Sequence, residues 1–197
     1  LDDALIGQNP DPIQHGDSGL PLSAGNTLRS GDTITSLTGI LDERRVRYLL
    51  TFSGGNGFHI RWAFRRHSLP EQKWQFLRDI IRSLQEETEE RLQASAQRRA
   101  FYKHIPRGDP ITELNSMDLR AQHSVLFDAL IVRPEATIRA PFSLHTKHRW
   151  VAVPVAPRRL AAFLPRTDAT MATAMRARSV RLPLNPVTLF TKRPWTR

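Results

Sequence analysis

The sequence predicts an α/β fold, an α+β sandwich in which mixed sheets are flanked by helices, and three observations carry that expectation. Strand-like runs at 46–52 and 58–64 enclose a Gly-rich turn, an amphipathic helix follows, and extended segments occupy 126–155. The 197 residues, 40% of them in the AVILMFWYC set, suffice for one compact domain. The absence of Cys excludes disulfides, thiolate-bound zinc, Cys nucleophiles and iron–sulfur clusters. No apolar run approaches the roughly 18 residues that a membrane crossing needs, so no membrane partner is expected. The chain opens on Leu1 without a readable signal-peptide pattern, and composition leaves nucleus, cytoplasm and mitochondrion open.

Residues 7–31 are rich in turn formers without periodicity and read as a long loop. Ile34, Leu37, Ile40 and Leu41 then recur at helical spacing behind Asp32, an N-cap residue type, which gives a short helix. VRYLLTF (46–52) reads as a buried strand and SGGNG as a turn. FHIRWAF alternates, with Phe58, Ile60, Trp62 and Phe64 on one face and His59 and Arg61 on the other. Ser68-Leu-Pro-Glu71 has the form of a capping box, ahead of an apolar stripe of Trp74, Leu77, Ile81 and Leu84 with Phe76 and Ile80 beside it. The acidic run Glu86–Glu90 suggests that this helix becomes solvated along its length. Residues 105–120 read as loop, LFDALIVR (126–133) as a strand, ATIRAPFSLH (136–145) as extended, and RWVAVPV (149–155) as a strand, with 146–148 turning between the last two. RRLAAFL and MATAMRAR read as short helices. The domain is expected over 1–165, followed by a basic, Pro-interrupted tail at 166–197.

Charge is distributed unevenly. Residues 1–138 hold 17 Lys/Arg against 18 Asp/Glu, a balance of −1, whereas 139–197 hold 12 Lys/Arg against Asp168 alone, a balance of +11. A polyanion is the expected partner of that region, met by Arg176, Arg178, Arg181, Lys192, Arg193 and Arg197. A solvated basic tail is the plainer reading.

Two segments and one acid stand out for chemistry. Ser53-Gly-Gly-Asn-Gly-Phe-His59 offers glycines that let backbone N–H groups approach a phosphate, with a hydroxyl and an imidazole added; a Gly-rich β-turn is the alternative. In Arg139-Ala-Pro-Phe-Ser-Leu-His-Thr-Lys147, an extended backbone puts Arg139, Ser143, His145 and Lys147 on one face. That set suits phosphate, or else a basic strand edge facing water. His145 and His148 lack an evident third metal ligand. Asp128, among Leu126, Phe127, Leu130 and Ile131, is costly to bury without a cation or metal, and ordinary if it faces solvent.

In order along the chain, these segments resemble the archaeo-eukaryotic primase superfamily, most closely its DNA primase small catalytic subunits. SGGNGFHI looks like the family's Ser-Gly-x-Arg-Gly-x-His motif, and APFSLHTK like its Pro-x-Ser-hydrophobic-His-x-Lys motif, followed by a strand ending in Val-Pro, as VAVPV does. The resemblance covers roughly 1–155 and implies a primase-type catalytic domain. It implies two divalent metals, Mg²⁺ or Mn²⁺ and no zinc, held by an Asp-x-Asp pair and a later Asp, promoting attack of a 3′-hydroxyl on a nucleoside triphosphate. Ser53, Gly54, Gly55, Asn56, His59, Arg139, Ser143, His145 and Lys147 would then bind nucleotide. Asp128 and His59 would be catalytic, and Asp128, Asp2 and Asp3 would be the metal ligands. Partners would be a single-stranded template, nucleoside triphosphate and other protein subunits. Asn56 stands where the family usually has Arg, and Asp2 and Asp3 are adjacent rather than spaced as Asp-x-Asp. These departures keep a second expectation alive: a primase-derived domain without catalysis, serving as a nucleic-acid-binding subunit of a mitochondrial ribosome or another ribonucleoprotein.

Overall fold

The computed structural model describes residues 24–55, 57–64, 72–96, 98–103, 105–106, 108–115, 124–133, 135–176, 180–181 and 183–185. The fold is α/β, with helices packed against three small two-stranded sheets, one antiparallel and two parallel. The long loop expected over 7–31 and the short helix capped by Asp32 are corrected: α1 runs Ala24–Glu43, so Asp32 lies inside it, and residues 1–23 are outside the described set. The apolar face formed by Ile34, Ile40 and Leu41 is buried, and this packing overrides the poor helix propensity of Gly31 and Asp32. α1 ends in a Schellman motif, with the Val46 N–H donating to Leu41 O (2.8 Å) and the Arg45 N–H to Asp42 O (2.9 Å). Arg45 occupies the left-handed position (φ 59°), and Leu41 and Val46 meet in one apolar cluster.

β1 (Leu49–Phe52) pairs antiparallel with β2 (Phe58–Arg61) in the register Thr51 to His59 and Leu49 to Arg61. On the other side of β1 the chain at 153–155 continues the pairing: the Phe52 N–H donates to Val153 O (2.8 Å) and the Val155 N–H to Leu50 O (2.9 Å). A further extended segment follows, with the His145 N–H donating to Trp150 O (2.7 Å) and the Ala152 N–H to Ser143 O (2.9 Å). The order across this layer is therefore β2, β1, 150–155, 142–145. Leu50, Phe52, Val151, Val153 and Val155 enter one core with Leu160 and Phe163, each buried aliphatic contributing about 1.5–3 kcal/mol. Thr146, Lys147 and His148 form the expected turn, at the same end of the layer as the Ser53–Gly57 turn.

β3 (Ala63–Phe64) leads towards α2 (Lys73–Ala94). The expected capping box at Ser68–Glu71 lies outside the described residues, and Gln72 is the N-cap. The buried stripe of α2 is Ile80, Leu84, Thr88 and Leu92, continuing through the stretch expected to be solvated. Two of its acids are structural. Glu87 pairs with Arg44 and with Arg91 (2.9 Å), and Arg91 also grips Glu43 (2.6 Å), which ties α1 to α2. Glu89 accepts the N–H groups of Ile111 (3.0 Å) and Thr112 (2.7 Å) and the Thr112 hydroxyl (2.8 Å), fixing the start of β4 (Thr112–Leu114). The loop expected at 105–120 is corrected accordingly. A short α3 (Arg98–Phe101) buries Phe101 with Leu92, Ile105 and Ile111. β5 (Val125–Phe127) pairs parallel with β4 and is shorter than the strand expected over 126–133.

The boundary expected at 165 does not separate the packing. After a 3₁₀ helix at Pro157–Ala162 come α4 (Pro165–Asp168), α5 (Met171–Arg176) and β6 (Leu184–Asn185), which pairs parallel with β3. Ala169 is fully buried in the main core. Asn185 is 1% exposed, with its side chain accepting the Arg47 N–H and donating to Arg47 O, both at 2.8 Å. The first part of the expected tail is thus built into the body.

Candidate functional site

The Gly-rich turn leaves the end of β1. The Ser53 N–H donates to Gly57 O (2.9 Å), and Ser53 Oγ accepts the N–H groups of Gly55 (3.1 Å) and Gly57 (3.3 Å). The expectation that these N–H groups stand open to a phosphate is therefore corrected, since Ser53 uses two of them and keeps its own O–H to donate. The glycines serve close approach instead. A Cβ on Gly54 (φ 79°) would lie 2.9 Å from Trp150 O and 3.1 Å from His145 Cβ. On Gly55 it would lie 3.1 Å from His145 Nε2. The two motifs of the sequence thus meet at His145. Asn56 lies outside the described residues.

His145 sits in a shaped hairpin. Phe142 (φ 66°) and Arg149 (φ 58°) bracket it in left-handed conformations. The Arg149 N–H closes the loop on His145 O (2.8 Å). The His148 N–H approaches His145 Nδ1 at 3.4 Å, which assigns the imidazole proton to Nε2, the atom against the glycine turn. The His145 ring lies 4.8 Å from His148, which stacks on Trp150 at 5.9 Å. Burial lowers the His145 pKa from its ordinary 6.5, and the positive charges of Arg139, His148 and Lys147 add to the effect. Lys147 is exposed in the turn.

The single-face convergence expected of Arg139, Ser143, His145 and Lys147 is corrected in part, because Phe142 breaks the alternation. Ser143 Oγ donates back to Ala140 O (2.7 Å), and Arg139 Nη1 donates to Leu144 O (2.9 Å). Arg139 nonetheless acts on both His59 and His145 through its charge.

His59 lies on the β2 face that also carries Arg61, and Thr51 is opposite it in register. Arg61 Nη2 donates to His59 Nδ1 (3.1 Å) and to Arg139 O. Arg61 was not singled out from the sequence, although its parity with His59 placed it on this face. Burial lowers the His59 pKa, with Arg61 and Arg139 adding to the shift and Asp128 opposing it. Thr51 is fully buried, with no hydrogen-bond partner for Oγ1 among the described residues.

Asp128 is exposed, the solvent-facing one of its two expected settings, and its mid-strand placement is corrected to a position just beyond β5. Its Oδ1 accepts the Leu130 N–H (3.0 Å) and the Asn115 amide (3.4 Å), an Asx turn that stops the strand. Asp2 and Asp3 lie outside the described residues, as do Arg178, Lys192, Arg193 and Arg197; Arg176 ends α5, and Arg181 is exposed. No group of three His, Cys, Asp or Glu among the described residues is placed to hold a metal. Of the three expected metal ligands only Asp128 is among the described residues, and one carboxylate by itself does not hold a pair of divalent ions.

Among the described residues no helix is long and apolar enough to cross a membrane. In comparisons with known proteins, no family model matches the chain and no curated protein matches it.

Proposed function

We propose that the chain is a primase-type nucleotidyltransferase domain that holds a nucleoside triphosphate at the end of the sheet, between the Ser53–Gly57 turn and the 143–148 hairpin, for template-directed primer synthesis. The observation that carries the proposal is the seating of His145 on Gly55, which brings the two primase-like motifs into contact. Two imidazoles that each have Nδ1 accepting, and so carry the proton on Nε2, are donors suited to phosphate oxygens. The Ser53 O–H and the charges of Arg61 and Arg139 supplement them. The test is nucleotide incorporation on single-stranded DNA with Mg²⁺ or Mn²⁺. The wild type extends primers, and Asp128→Ala abolishes extension while leaving triphosphate affinity within about threefold. Extension that survives Asp128→Ala contradicts a metal role for that residue.

A second reading is favoured by Asp128 itself, which is exposed and committed to its own turn. In it the domain has lost catalysis and serves as a nucleic-acid-binding subunit of a ribonucleoprotein, such as a mitochondrial ribosome. It predicts no incorporation, with salt-sensitive binding to single-stranded or structural RNA.

A further inference from the structure

Arg61 reaches away from its strand to two partners. Its Nη2 donates to His59 Nδ1 at 3.1 Å and to the backbone oxygen of Arg139. Its Nε is buried without a hydrogen-bond partner among the described residues. An arginine placed only to fill space would carry that unsatisfied donor at a cost of stability and gain nothing specific from the fork. The two bonds do something an apolar side chain cannot. A guanidinium is always protonated, so the ring nitrogen facing it must accept, and the imidazole proton is confined to Nε2. The second bond fixes the 139–145 segment to β2, so the strand carrying one histidine and the hairpin carrying the other are joined by a single side chain.

We propose that Arg61 is a positioning residue: it locks His59 in the Nε2–H tautomer and struts the two histidine-bearing segments together. The inference deepens the triphosphate reading and rests on it only for what the His59 donor meets. The charged and titratable groups around His59 are Arg61 on its own strand, Arg139 from the hairpin side and Asp128 from beyond β5.

The test is ¹⁵N ring spectroscopy of His59 in the full chain at a pH where it is neutral, beside a titration with inorganic tripolyphosphate. In the wild type Nε2 carries the proton. Arg61→Glu, which offers an acceptor instead, moves the proton to Nδ1 and weakens tripolyphosphate binding about tenfold or more, whereas Arg61→Lys keeps Nδ1 accepting and binds within about threefold. A wild-type ring protonated at Nδ1, or a tautomer unchanged in a folded Arg61→Glu, overturns the positioning role whatever the binding does. A tautomer that moves while tripolyphosphate affinity stays constant supports the positioning role and overturns the triphosphate reading of the site. Should Arg61→Glu fail to fold, the wild-type and Arg61→Lys spectra decide.

Discussion

Arg45 and Arg149 hold left-handed conformations that glycine adopts without cost, one closing α1 and the other closing the His145 hairpin. Each Arg→Gly substitution should stabilise the protein by about 0.5–1 kcal/mol in urea unfolding, because the left-handed strain relieved, about 1–2 kcal/mol, exceeds the flexibility added to the unfolded chain. The two glycines behind the site divide the other way. Gly54→Ala meets a positive φ and a backbone oxygen and should cost about 2 kcal/mol or more. Gly55→Ala, at an ordinary φ, presses on the His145 ring at 3.1 Å and touches Ser53 Oγ at 3.6 Å, so it should cost less stability than Gly54→Ala while weakening triphosphate binding. Burial holds His59 and His145 below the ordinary 6.5, so the unfolded chain protonates first as pH falls. Their contribution to stability is complete above about pH 6.5 and is lost as pH falls through the folded values. Because both Nδ1 atoms already accept N–H groups, triphosphate should meet neutral rings above about pH 6.5 and bind without proton uptake, as calorimetry in two buffers would count; uptake there would mean that the Nδ1 contacts do not hold.

At the scale of elements, α2 works by its acids as much as by its apolar stripe. Glu89 accepts three hydrogen bonds at the start of β4, so Glu89→Ala should cost about 2–3 kcal/mol in denaturant unfolding. Glu86→Ala, at an exposed position, should stay within about 0.5 kcal/mol. This is where the sequence was least legible. Periodicity located the apolar face of α2, but the bonds of Glu87 and Glu89 are made to segments distant in sequence, and an acidic run looks the same solvated or bonded. The first turns of α1 are not legible, since Gly31 and Asp32 resemble a start, whereas the core packing that extends the helix is tertiary. β1, β2 and the turn at 146–148 were legible, since alternation and turn chemistry are local. Of the site, His59 and His145 were legible as donors. The end of β5 at Phe127 was not legible, because the Asx turn of Asp128 follows from the same residues that a longer strand would contain.

Over the whole molecule, an excess of cations lies in 139–197, and part of that stretch is structural. A truncation at 166 would remove Ala169 and Asn185 from the packing, so loss of nucleic-acid binding by that variant would report unfolding. Removing 186–197 takes away Lys192, Arg193 and Arg197 while sparing Asn185. It should lower the slope of log K against log salt for single-stranded nucleic acid by up to about 2, at roughly 0.7 per phosphate contact. Whether His59 and His145 serve one ligand is decided by tripolyphosphate affinity, measured by calorimetry for the wild type, His59→Ala and His145→Ala. Each substitution should weaken binding about tenfold, the worth of one charge-assisted hydrogen bond. Binding by both variants as tight as the wild type's would contradict a triphosphate site here, because the two histidines that feel the charge of Arg139 would then share no ligand.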